Sequence, residues 1–156
     1  GGLGYVGQNK GLESYKVASL AITADNEQIL YAGTGNKGGT AGLFRSNDGG
    51  ESWVLSAAGE KARFSGNHSG TGDPVPVGHP RSNGDLIIVD HGANPATHTD
   101  DIVIAGTYKR GVQLFTQGGD REASAVNTAG FVRSIAHDPA VANTVYAAIQ
   151  FADTSK

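Results

Sequence analysis

The chain superimposes on itself, and that constrains its fold more than any single residue does. Val17-Ala18-Ser19-Leu20-Ala21-Ile22 followed by Ile29-Leu30-Tyr31-Ala32-Gly33 recurs without gaps, 115 residues on, as Val132-Arg133-Ser134-Ile135-Ala136-His137 followed by Thr144-Val145-Tyr146-Ala147-Ala148. A third copy lies between them: Leu86-Ile87-Ile88-Val89 as one strand, then Asp101-Ile102-Val103-Ile104-Ala105-Gly106-Thr107, which matches residues 28–34 at an offset of 73. The step from this copy to the last is therefore 42 residues. A repeat of that length is one supersecondary unit, which cannot bury its apolar faces alone and needs neighbours stacked on it. The apolar runs are short and bounded by polar turns, one of them the Asp138-Pro139 reversal signal, and no segment sustains a helical period. With 24 glycines and only 17% charged residues, the composition suits short strands and tight turns. The expected class is all-β.

Between the strands of the first copy stands Ser46-Asn47-Asp48-Gly49-Gly50-Glu51-Ser52-Trp53. A short carboxylate can accept backbone N–H bonds in a hairpin, glycine tolerates positive φ, and the serine hydroxyls can add local bonds. Trp53 offers a large apolar plate where the outgoing strand begins. The incoming strand is expected at Ala41-Gly42-Leu43-Phe44-Arg45 and the outgoing one at Trp53-Val54-Leu55. The pattern Ser-x-Asp-x-Gly-x-Ser/Thr-Trp resembles the Asp-box (BNR) repeat in the β-propellers of sialidases, glycoside hydrolase family 74 xyloglucanases and sortilin-type receptors. That resemblance assigns Ser46, Asp48, Gly50, Ser52 and Trp53 structural roles on an outer rim, away from any central cleft. The middle copy carries a degenerate version, residues 115–122, with Gln117 at the Asp position and Glu122 at the Trp position. Its geometry is expected to rest on Gly118-Gly119.

The resemblance implies a β-propeller segment of about two complete four-stranded blades with partial blades at both ends. The expected parts are residues 1–12 as the end of a preceding blade, 13–58 as a blade with an Asp-box, and 59–85 as an inserted loop. Residues 86–127 follow as a blade with a degenerate box, and 128–156 as the first half of a further blade. Propellers close with typically 4 to 8 blades, so missing blades or other chains are expected to complete the ring. The opening Gly1-Gly2-Leu3-Gly4 and the absence of methionine give the same expectation of sequence beyond this segment.

A formal net charge of −3 with scattered basic residues gives no electrostatic footprint for nucleic acid. The absence of cysteine excludes disulfides and thiolate metal sites without deciding the compartment. The longest apolar runs are strand-sized, far below the roughly 20 residues of a membrane helix. No membrane span is expected.

Two polar loops hold the candidate sites. The insertion is long and rich in Gly, Asn, Ser and Pro, and loops of that kind carry contacts. His68, Asp73, His79 and Arg81 are its candidates for a ligand or partner, because family 74 loops border a glycan cleft. The stretch 90–101 concentrates Asp90, His91, His98, Asp100 and Asp101, residue types that ligate divalent cations. Equivalent turns carry Asp and Asn for ordinary turn reasons, so no cofactor is expected, with a divalent cation as the alternative. The Arg-Ile-Pro signature of sialidases is absent. Family 74 hydrolysis uses two carboxylates from distant blades, and the signature around one of them does not occur here. The resemblance thus implies a non-catalytic scaffold or binding module, secreted or at the cell surface, contacting a glycan or protein partner. The alternatives are a fragment of a family 74-like glycoside hydrolase with its catalytic carboxylates on missing blades, and a component of a multi-chain surface assembly.

Overall fold

The computed structural model describes residues 7, 10–12, 16–35, 42–57, 86–89, 93–107, 111–126, 131–141 and 143–151. Among these residues the chain is all-β and contains no helix, so none is long and apolar enough to cross a membrane. The strands in chain order are β1 (Lys16–Ile22), β2 (Leu30–Gly35), β3 (Gly42–Ser46), β4 (Val54–Leu55), β5 (Leu86–Val89), β6 (Ile102–Gly106), β7 (Val112–Thr116), β8 (Arg121–Val126), β9 (Phe131–His137) and β10 (Val145–Gln150). They form three antiparallel sheets, β1-β2-β3-β4, β5-β6-β7-β8 and β9-β10, none of them closed. The expected inserted loop lies outside the described residues.

The pairing reproduces the sequence repeat in detail. In the first sheet Val17 pairs with Thr34 and Ser19 with Gly33, the ladder shifting across Ala18. In the third, Val132 pairs with Ile149 and Ser134 with Ala148, the ladder shifting across Arg133. The irregularity thus sits at the same place in both hairpins, at the offset of 115 found in the sequence. A β-bulge re-aims the side chains beyond it, so its recurrence keeps Val17 and Leu20 of one sheet equivalent to Val132 and Ile135 of the other. The first and second sheets match similarly, with Thr34 Oγ1 donating to Gly42 O and Thr107 Oγ1 to Gly111 O at the far end of each central hairpin.

Alternation along the strands gives every sheet two apolar faces. Ile29, Tyr31 and Leu43 of the first sheet pack against Leu86, Val103, Ala105 and Phe115 of the second. The opposite face of the second sheet, through Ile104 and Val112, packs on Val132 and Ile135 of the third. A fully buried side chain of this size contributes roughly 1.5 to 3 kcal/mol, so these two seams are where stacking is stabilised. Gly106 makes the second seam close: a Cβ there would lie 2.6 Å from Val132 Cγ1 and 2.9 Å from Ile135 Cδ1. A third cluster, Leu12, Ala32, Phe44 and Trp53, covers part of the outer face of the first sheet. Beyond it Val17, Leu20 and Ile22 stay exposed.

Candidate functional site

The 46–53 turn is built from its own side chains. Ser46 Oγ donates to Asp48 Oδ1 at 2.7 Å and accepts the Gly50 N–H at 2.8 Å. Asp48 also accepts the Ser52 N–H on Oδ1 at 2.9 Å and the Ser52 hydroxyl on Oδ2 at 2.5 Å. Gly49 and Gly50 hold φ of 69° and 93°, the left-handed region where glycine carries no Cβ penalty. The hydroxyl and N–H of Ser52, with the Ser46 hydroxyl, stabilise the ionised carboxylate and lower the Asp48 pKa to about 2. A carboxyl that remains ionised to such low pH, with both oxygens engaged by the turn, is a poor proton donor. Its chemistry here is structural.

Trp53 lies just before the outgoing strand rather than in it: its N–H donates to Lys10 O at 2.9 Å, and Lys10 and Ser52 form a parallel bridge. Residues 10–12 therefore run along the outgoing arm of the turn. At Gly11 a Cβ would lie 2.2 Å from Trp53 O. The indole is 8% exposed and packs on Leu12, Ala32 and Phe44.

Of the polar stretch 90–101, the structure brings together His98 and Asp101, whose Nδ1 and Oδ2 are 2.9 Å apart with both side chains fully buried. Asp100 is half-buried, and Asp90 and His91 lie outside the described residues. His98 adopts φ of 52°, which costs energy for a residue bearing a Cβ and needs surroundings that enforce it. Those surroundings come largely from the first sheet. His98 Nε2 lies 3.4 Å from Asp25 Oδ1 in the β1–β2 turn, and Arg45 Nη2 donates to Thr97 O at 2.5 Å. Asp25 and His98 are 73 positions apart, the offset between these copies, so equivalent turn positions face each other across the seam.

Next to this pair Arg45 stacks over the Tyr31 ring, its Cζ 5.7 Å from the centroid. Burial pushes the Tyr31 phenol up to about 12; Arg45 opposes the shift, and Asp101 and Asp120 add to it. From the 115–122 turn the Gly118 N–H donates to Asp101 O at 3.2 Å, and Asp120 Oδ1 accepts the Ala57 N–H at 3.0 Å. The ensemble is a polar seam joining two sheets, in which Tyr31, His98 and Asp101 are fully buried. Each imidazole nitrogen faces a carboxylate. Among the described residues no group of three or more His, Asp or Glu is arranged to hold a metal ion.

The sequence singled out His98 and Asp101 but neither Asp25, Arg45 nor Tyr31. The repeat offset linking residues 25 and 98 was the one available signal for the contact between them. His68, Asp73, His79 and Arg81 lie outside the described residues. No protein-family model matches the chain, and no curated protein or solved structure matches it.

Proposed function

We propose that the chain is part of an Asp-box β-propeller that acts as a non-catalytic, extracytoplasmic scaffold or binding module, contacting a glycan or protein partner through the loops at 59–85 and 90–101. The observation that carries this reading is the recurrence of one hairpin register, bulge included, in the first and third of three face-to-face sheets. Stacked repeats place their variable loops along common rims, and binding on such architectures resides in those loops. The state of two carboxylates supports the structural reading of their turns. Asp48 is held ionised by its own turn, and Asp101 is buried against His98.

The test is affinity electrophoresis of the chain through gels containing xyloglucan, alongside a glycan array and a reducing-end assay. The chain should be retarded or captured without releasing reducing ends, and replacing residues 59–85 with a short Gly-Ser linker should abolish retention. Release of reducing ends, lost on substitution of a carboxylate, would replace the scaffold reading with a glycoside hydrolase. Undiminished binding by the linker variant would overturn the assignment of the contact to that loop.

A further inference from the structure

We infer that the Asp48–Gly49 bond is a latent site of isoaspartate formation, which the folded turn holds shut and which opening of the turn exposes. The inference concerns this turn alone and is independent of what the loops bind.

An aspartate followed by glycine is chemically vulnerable in a flexible chain, because no Cβ on the following residue hinders attack of its backbone nitrogen on the aspartyl Cγ. Asp48–Gly49 is the one Asp-Gly pair in the sequence. The reaction forms a bond from Gly49 N to Asp48 Cγ and breaks one Cγ–O bond of the protonated carboxyl. The departing hydroxyl leaves as water with the proton of the amide. Water then adds to either carbonyl of the resulting succinimide. Addition at Cγ restores aspartate, and addition at the backbone carbonyl leaves the chain running through Cγ as isoaspartate. Nothing is oxidised or reduced, and the net change is an isomerisation.

The step needs a protonated carboxyl and a Gly49 nitrogen at liberty to reach it. The turn withholds both. Oδ1 accepts the Ser46 hydroxyl at 2.7 Å and the Ser52 N–H at 2.9 Å, and Oδ2 accepts the Ser52 hydroxyl at 2.5 Å. The Gly49 N–H donates to Gln28 O of the β1–β2 turn at 2.9 Å. The Asp48 pKa of about 2 makes the neutral carboxyl scarce at neutral pH. The 115–122 turn carries no such bond, since Gln117 takes the Asp place and Asp120 precedes Arg121. Once formed, isoaspartate adds a backbone atom between residues 48 and 49 and moves the carboxylate onto Cα. A turn that opens and reacts therefore cannot close again on the same bonds.

Peptide mapping of the aged chain tests this. Cleavage after Arg45 and Lys61 isolates residues 46–61, with Asp48 as their one aspartate; the isoaspartyl form is resolved chromatographically and labelled with an isoaspartyl methyltransferase. At neutral pH the folded parent should accumulate isoaspartate at least about tenfold more slowly than the chain in guanidinium chloride, because reaction passes through the open fraction of the turn. Ser52→Ala removes one charge-assisted bond and should raise the folded rate by about tenfold with the far-UV spectrum of the parent retained. Asp48→Asn cyclises with loss of ammonia and needs no protonated carboxyl, so slower deamidation in the fold than in guanidinium reads the hold on the Gly49 nitrogen by itself. Equal rates in the folded and unfolded parent would overturn the proposal whether or not either variant folds. A folded Ser52→Ala chain that ages no faster than the parent would overturn it too, and equal deamidation of folded and unfolded Asp48→Asn would overturn the protection assigned to the Gly49 nitrogen.

Discussion

The turns at 46–53 and 115–122 occupy the same place in two successive sheets and reach similar backbones by different means. In the first, a carboxylate and two serine hydroxyls knit the loop together, and an indole anchors its outgoing arm. In the second, Gln117, Gly118 and Gly119 adopt φ of 56°, 62° and 99° in succession, with Gly119 N–H donating to Thr116 O and Asp120 N–H to Gln117 O. Support comes from outside: a Cβ on Gly118 would lie 2.2 Å from Arg45 Nη1 and 2.9 Å from His98 O, and one on Gly119 would lie 2.9 Å from Ser56 Oγ. The first turn carries its own fastening, whereas the second is fitted against its neighbour. Local chemistry and tertiary contact are interchangeable ways of fixing one hairpin.

The comparison breaks most visibly at the anchors. Trp53→Ala should destabilise the chain by about 3 to 5 kcal/mol in urea unfolding, the cost of emptying a large buried aromatic site. Glu122→Ala, at the matching position, should cost only about 1 to 2 kcal/mol by releasing the bond from Gln113 Nε2 at 2.9 Å and leaving that buried amide unpaired.

Glycine replacement separates the two turns next. Gly118→Ala should cost about 2 to 4 kcal/mol, combining left-handed strain with overpacking against backbone. Gly50→Ala should cost about 1 to 2 kcal/mol from conformation alone, because its methyl would meet Trp53 Cζ2 at an ordinary 3.6 Å. Equal losses in thermal or urea melts would show that the second turn is not held by its neighbour.

A pH series sharpens the role of the carboxylate. The Asp48 pKa is depressed from 3.8 to about 2 in the folded chain, so its contribution is fully present above the unfolded value and lost as pH falls through about 2. Urea midpoints of parent and Asp48→Asn should therefore differ near pH 5 and converge near pH 2. The smallest effect is expected at Gln117→Gly, which relieves a left-handed side chain at some entropic cost and should raise stability by up to about 1 kcal/mol.

Most of the strand pairing was legible in the sequence, because an alternating pattern that recurs at a fixed offset determines register and face together. The bulge itself was not readable: a gapless match of Ala18 with Arg133 makes the two hairpins alike without showing that either ladder shifts there. The hairpin joining β3 and β4 was readable for a related reason: its turn is held by bonds among neighbouring residues, which are encoded locally. The buried seam was not. His98 is an exposed turn residue by sequence environment, yet it is buried, facing Asp25 of another sheet while Arg45 of that sheet bonds the adjoining Thr97. Tyr31 and Tyr146 stand at equivalent strand positions, yet one is buried and the other exposed. Which faces meet depends on the third dimension, and a period in sequence is silent on it.

The glycine at 106 has a further effect when the sheets are considered as wedges. Val132 approaches so near its α-carbon that a hydrogen atom there acts as the shim between the second and third sheets. Gly33 holds the equivalent position in the first sheet, but the third sheet has Ala148. The third sheet therefore presents a methyl group where the second presents only a hydrogen. The spacing of the second and third sheets is thus set by a place where a side chain is missing rather than by one where a side chain is present.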